Sequence, residues 1–112
     1  MSNLKLILNE ELPSDLRKAL NKDAKSNNIT LNDAAVKALS DHFQIEPHLS
    51  GFQYRDVSDR FKLRVPEELH QLIRIQAAHR LQTVRGVALS ELSHHYGTKA
   101  IDPGRRPRRE VA

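Results

Sequence analysis

The stretch Asp59 to Leu69, DRFKLRVPEEL, decides the fold. Apolar and cationic side chains alternate in it before a proline: Phe61, Leu63 and Val65 on one side, Arg60, Lys62 and Arg64 on the other. A period of two predicts a β-strand with one face toward a core and one face outward. Pro66 and the two glutamates after it are typical of a helix start. The sequence therefore predicts a short strand with a cationic outer face, followed by a helix.

The composition predicts a mostly α-helical protein. The chain has 112 residues, of which 38% are hydrophobic, 29% are charged and only 4% are aromatic, with no Trp. A core must then be built from Leu, Ile, Val and Ala, which favours helices over a β-sandwich. The absence of Cys excludes disulfides, thiolate metal sites and cysteine nucleophiles.

The positive charge lies in the second half of the chain. Residues 1–50 hold six Lys/Arg against seven Asp/Glu, whereas residues 51–112 hold twelve against seven. A half that binds a polyanion would produce such an asymmetry, although a solvated basic surface is the commoner cause of any one Lys/Arg cluster. The N-terminal apolar run is too short for a signal peptide or a membrane span, so we expect a cytoplasmic protein without a membrane partner.

An internal repeat organises the whole chain. The segments Leu12 to Phe43 and Val65 to Tyr96 align without a gap at an offset of 53 residues. Each segment predicts two helices, the first entered through Pro13 or Pro66 and the second capped by Thr30 or Thr83. The predicted organisation is a first unit at 1–43, a linker at 44–59, a second unit at 60–96 and a basic, disordered tail at 97–112.

One strand and two helices bury too little apolar surface to fold alone, so each unit must pair with another. The simplest pairing places two strands antiparallel over a shared core of four helices, with the alternate side chains pointing outward. The outward set of the second unit is then Arg60, Lys62 and Arg64. A two-stranded ribbon of this kind fits the major groove of DNA.

The segment FKLRVPEELHQLIRIQAAHRLQTVRGVALSELSHHY resembles the ribbon-helix-helix family of DNA-binding proteins, which includes the Arc and MetJ repressors. The resemblance implies a sequence-specific, double-stranded DNA-binding transcription regulator, expected to be a nucleoid-associated repressor. It also implies base contacts from Arg60, Lys62 and Arg64, and a phosphate contact at the start of the second helix from Thr83, Val84 and Arg85. The first unit resembles the family more weakly, and we expect Lys5 and Thr30 to make weaker DNA contacts.

The strand of the first unit has two candidate registers. The offset of 53 residues makes Ile7, Asn9 and Glu11 equivalent to the three cationic positions. A register slipped by four residues, which we favour for its cleaner alternation, directs Leu4, Leu6 and Leu8 inward and Asn3, Lys5 and Ile7 outward. Both registers give an outer face poor in cations.

Two assemblies follow from this organisation. The two units either pair within one chain as a pseudo-dimer or pair with the matching units of a second chain in a homodimer. A linker of 16 residues is long enough for the first arrangement, which a short tether favours by raising the effective concentration.

The remaining motifs indicate neither catalysis nor a metal or other cofactor. The chain has no phosphate-cradling glycine loop, no serine elbow and no paired carboxylates in a plausible cleft, and we expect its six His to be exposed or capping residues. Arg105, Arg106, Arg108 and Arg109 in the tail are expected to add nonspecific DNA affinity. The alternative function is that of an antitoxin, in which one unit binds a protein toxin and DNA binding regulates its own operon.

Overall fold

The computed structural model describes residues 4–51 and 60–101 of the chain. These residues form a mostly helical protein with one two-stranded antiparallel sheet, as the composition and the repeat predict. In chain order the elements are β1 (Leu4–Glu10), α1 (Ser14–Asn27), α2 (Leu31–His42), β2 (Phe61–Pro66), α3 (Glu67–Arg80) and α4 (Val84–Tyr96).

The helices keep the spacing of the sequence repeat. Helix α3 begins and ends 53 residues after α1, and α4 begins 53 residues after α2. Thr30 and Thr83 are the N-caps of α2 and α4, as predicted: each side chain accepts a hydrogen bond from the backbone N–H three residues ahead, at 3.1 and 2.9 Å. Asn28 and Leu81 end α1 and α3 in the left-handed conformation, with φ of 55° and 53°. Equivalent residues therefore give the two helix pairs the same turn.

The two strands that pair belong to the same chain. In the antiparallel register Asn9 lies opposite Lys62, and Leu8 opposite Leu63. Asn9 and Lys62 are themselves 53 residues apart, so an approximate two-fold axis passes between them. In this structure the ribbon is thus formed by one strand from each unit.

The favoured register for β1 is wrong at Leu6 and Ile7. Lys5 is exposed and Leu8 is buried, as that register predicts, but Leu6 is 47% exposed and Ile7 only 8% exposed. The reason is a β-bulge between Leu6 and Leu8, where Ile7 is the extra residue and has no partner in β2. A bulge reverses the alternation of the side chains on one side of it. Asn3, the third predicted outward residue, lies outside the described residues.

The core is shared by both units. Equivalent apolar residues of α1 and α3 lie at 6% exposure or less: Leu16, Leu20 and Ala24, and Leu69, Ile73 and Ala77. Leu63 and Val65 of β2 join them at 0% exposure. Full burial of each large aliphatic side chain contributes about 1.5–3 kcal/mol. The cationic residues of β2 therefore stand on a strand whose other face is fixed in the core.

Polar contacts also join the units. The Tyr96 hydroxyl at the end of α4 donates a hydrogen bond to Asp23 Oδ2 of α1 at 2.6 Å. Burial is the main cause that raises the pKa of Tyr96, and the hydrogen bond to Asp23 raises it further. His42 of α2 lies between Glu91 and Gln76, with each ring nitrogen 2.9 Å from a side-chain oxygen. His42 is exposed, as expected, and it also bridges the two units.

Tyr96→Phe is expected to lower the free energy of unfolding by about 1–2 kcal/mol, because it removes the donor to a half-buried carboxylate. Urea denaturation would measure the loss. Asp23→Ala and the double variant complete a thermodynamic cycle, in which the double variant should lose less than the two single losses together. Additive losses would show that Tyr96 and Asp23 do not stabilise the fold through each other.

Residues 97–101, which the sequence assigns to the tail, pack against the first unit. The backbone N–H of Lys99 donates to Asp15 Oδ2 at 3.0 Å, and this hydrogen bond lowers the pKa of Asp15. Ile101 is half-buried against the core. The four arginines of the tail lie outside the described residues.

Candidate nucleic-acid interface

The outer face of β2 carries two of the three predicted base-contacting residues, Lys62 and Arg64, and the third, Arg60, directly precedes the strand. Lys62 and Arg64 are half-buried and alternate with the buried Leu63 and Val65, so they point away from the core. Arg60 precedes the strand and is exposed, and its Nη2 donates to the backbone oxygen of Asn9 at 2.9 Å. The strand therefore has the two unlike faces that the alternation predicts.

Strand β1 adds a different set of side chains to this face. Leu6 lies opposite Arg64 and Asn9 opposite Lys62, and cross-strand partners share one face of a sheet. Both Leu6 and Asn9 are exposed. The two strands thus place an apolar and an amide side chain beside the cations of β2, a face we call the ribbon face: Leu6, Asn9, Arg60, Lys62 and Arg64.

Lys5 lies beside the ribbon face and not on it. It is exposed, but its register partner is Val65, which points into the core. Burial lowers the pKa of His70 on α3, and the positive charges of Arg74 and Lys5 lower it further. Lys5 therefore adds positive charge where the ribbon meets α3.

Both capped helices begin against the ribbon. In α2 the buried Asn32 donates to the backbone oxygen of Arg64 at 2.9 Å and accepts from the N–H of Arg64 at 2.8 Å. In α4 the equivalent residue is Arg85, whose guanidinium binds the carboxylate of Glu10 in β1. The helix N-termini are thus held on opposite sides of the approximate two-fold axis, with Thr30 at one and Thr83 at the other.

Arg85 carries an internal counterion. Its Nη2 donates to Glu10 Oε1 at 2.9 Å, and its Nε bonds to Oε2 of the same carboxylate. The hydrogen bonds and the charge of Glu10 raise the pKa of Arg85. The Arg85 side chain is 61% exposed, and Val84 and Thr83 beside it are half-buried. The predicted phosphate-contacting group is accessible, but an incoming anion meets a carboxylate already bound to it.

The linker returns to the start of α2. The buried carboxylate of Asp33 accepts hydrogen bonds from the N–H groups of Ser50 at 3.1 Å and Gly51 at 2.9 Å. Gly51 has φ of +73°, a left-handed conformation that favours glycine. Residues 52–59 of the predicted linker lie outside the described residues.

The sequence does not predict the roles of four residues in this region: Asn32, Glu10, Asp33 and Leu6. Asn32 and Glu10 bind partners 32 and 75 residues away, so no local pattern marks them. The contact of Asp33 with the linker has no periodic signal in the sequence. Leu6 was assigned to the core because the bulge cannot be read from the apolar run around it.

No family model, curated protein or solved structure matches the chain. Over residues 4–51 and 60–101, no helix combines the length and the apolar character needed to cross a membrane. Within the same residues, no three His, Asp or Glu side chains are grouped as a metal site would require.

Proposed function

We propose that this protein is a sequence-specific double-stranded DNA-binding regulator, a cytoplasmic, nucleoid-associated repressor built from two ribbon-helix-helix units in one chain. The observation that carries the proposal is the ribbon face, on which Lys62 and Arg64 project from a strand anchored in the core and the exposed Arg60 directly precedes that strand. The protein would occupy operator DNA and exclude other proteins from it.

The dimensions of the ribbon support insertion into the major groove. Two strands spaced about 4.8 Å apart with their outward side chains fit a groove about 12 Å wide. Arginine and lysine are well suited to the O6 and N7 acceptors of guanine, and Lys62 and Arg64 project side by side along one strand. A ribbon inserted in this way would present Arg60, Lys62 and Arg64 to successive base pairs.

The helix starts support a role in phosphate contact. The N-termini of α2 and α4 carry the positive ends of helix dipoles and lie against the ribbon on opposite sides of its axis. A ribbon in the groove would bring these ends to the two flanking backbones. Thr30 would act at one backbone, and Thr83, Val84 and Arg85 at the other.

The proposal is tested by fluorescence anisotropy on duplex DNA from upstream of the chain's own gene, with a scrambled duplex and the single strands as controls. We expect tighter binding to the upstream duplex than to either control. The logarithm of the association constant should also fall linearly with the logarithm of salt, with a slope of about −0.9 for each phosphate neutralised. No preference for duplex over single strands, or affinity that does not respond to salt, would contradict the proposal.

Glu10→Gln is expected to tighten binding to every duplex by about 3- to 10-fold, because it removes a negative charge beside the proposed phosphate path and releases Arg85. Anisotropy on the upstream and scrambled duplexes would measure the change. Glu46→Gln, an exposed position beyond the C-terminal end of α2, is the charge-matched control. Weaker binding by Glu10→Gln would instead mean that Glu10 orients Arg85 for its phosphate contact.

A further inference from the structure

We infer that one chain reads a non-palindromic DNA site, and that Leu6 contacts a thymine methyl group next to the base pair that Arg64 reads. The inference rests on the proposed function and concerns the chemistry of the site that the ribbon face would recognise. It follows from the bulge in β1 and from the unlike residues that β1 and β2 place around their shared axis.

The two strands cannot present the same chemistry to the two halves of a palindrome. The residues of β1 equivalent to Arg60 and Lys62 by the 53-residue repeat are Ile7, which is buried, and Asn9, which carries an amide. The residue equivalent to Arg64 is Glu11, an exposed acid. A palindrome would therefore place identical bases beneath cations on one side and beneath neutral or acidic groups on the other.

The bulge turns Leu6 onto the ribbon face. Leu6 is 47% exposed, whereas Ile7 and Leu8 next to it are buried. Bulges re-aim side chains in this way, and Leu6 takes a position that an ordinary alternation would have given to Ile7. A single exposed leucine is common on proteins, but this one stands among the cations of a face proposed to enter DNA.

The chemistry of the position selects its ligand. An apolar side chain in the major groove matches the C5-methyl group of thymine, the one apolar group that a base pair presents there. Leu6 lies directly opposite Arg64, and cross-strand partners stand about 5 Å apart. The base pair whose guanine contacts Arg64 should therefore have a thymine at a neighbouring position.

Asn9, opposite Lys62, would favour adenine, because adenine offers an acceptor and a donor to an amide side chain.

The experiment begins with selection of bound duplexes from a randomised library by the full-length wild-type chain, followed by sequencing and by native mass spectrometry of the bound complex. We expect a motif without two-fold symmetry, with guanines grouped toward one side and a thymine next to one of them. One chain should be bound to each duplex. A palindromic motif or two chains on one site would overturn the inference and leave the proposed function standing, whereas failure to enrich any motif would overturn both.

The role of Leu6 is tested by replacing the selected thymine with deoxyuridine, which removes only the methyl group. Wild type should lose about 4-fold in affinity, the size expected for one buried methyl group, and Leu6→Ala should lose nothing further on that substitution. Leu49→Ala removes another exposed leucine, 43% exposed and outside the ribbon, and should respond as wild type does. Circular dichroism would verify that each variant is folded. Equal sensitivity of wild type and Leu6→Ala to the missing methyl would overturn the assignment.

Discussion

Arg64→Ala is expected to weaken binding to the upstream duplex by about 10- to 100-fold, the range for loss of a good base contact. The side chain projects from the ribbon face, and the backbone N–H and carbonyl of Arg64 are hydrogen-bonded to Asn32. Alanine keeps that backbone, so the fold should persist. Anisotropy would measure the loss, and the scrambled duplex should be affected much less than the upstream one.

The matched control for this prediction is Arg74→Ala. Arg74 is also an arginine, exposed on α3 and not part of the ribbon face. It should change affinity by less than about 2-fold, since one screened surface charge that makes no base contact adds little at physiological salt. Equal losses for Arg64→Ala and Arg74→Ala would indicate that net charge, not base reading, drives binding.

Asn32→Ala is expected to lower the free energy of unfolding by about 2–4 kcal/mol. The Asn32 side chain is buried at 3% exposure and makes two hydrogen bonds to the backbone of Arg64. Alanine would leave the N–H and the carbonyl of Arg64 without these partners on the edge of β2, and unsatisfied polar groups of this kind cost about 1–3 kcal/mol each. For a domain of this size the midpoint of thermal unfolding should fall by roughly 10–25 °C.

Calorimetry or thermal circular dichroism would measure that shift. Asn21→Ala, at a half-buried asparagine on α1, is the control and should lower the midpoint much less. Because Asn32 also holds α2 against the ribbon, DNA binding by Asn32→Ala should be weaker even at temperatures where the variant is folded. A change in midpoint no larger than that of Asn21→Ala would contradict the structural role of Asn32.

The helices and β2 could be predicted because their signals are local. Each helix pair has apolar residues spaced three and four apart, a proline at the first entry and a threonine cap at the second. In β2 the alternation of cations with Leu63 and Val65 identifies both faces without knowledge of the partner strand. Periodicity and capping act within a few residues, so the sequence alone displays them.

The first strand could not be predicted in the same way. Leu4, Leu6, Ile7 and Leu8 form a nearly continuous apolar run, which offers no alternation to choose a register. The choice is made by packing: Leu8 pairs with Leu63 over the core, and the bulge at Ile7 absorbs the extra residue. The ion pair of Arg85 with Glu10 depends on this register, so the sequence could not predict it either.

The pairing of β1 with β2 inside one chain has a consequence for how the protein responds to dilution. Proteins assembled from separate subunits lose their folded form as they become scarce, because their stability depends on protomer concentration. In this structure the partner strand is covalently attached, and a chain that pairs its own two strands unfolds in a unimolecular step, with a midpoint that we expect not to depend on concentration. Each molecule would form its ribbon as soon as it is synthesised, so a protein present at a few copies per cell would still have a complete ribbon.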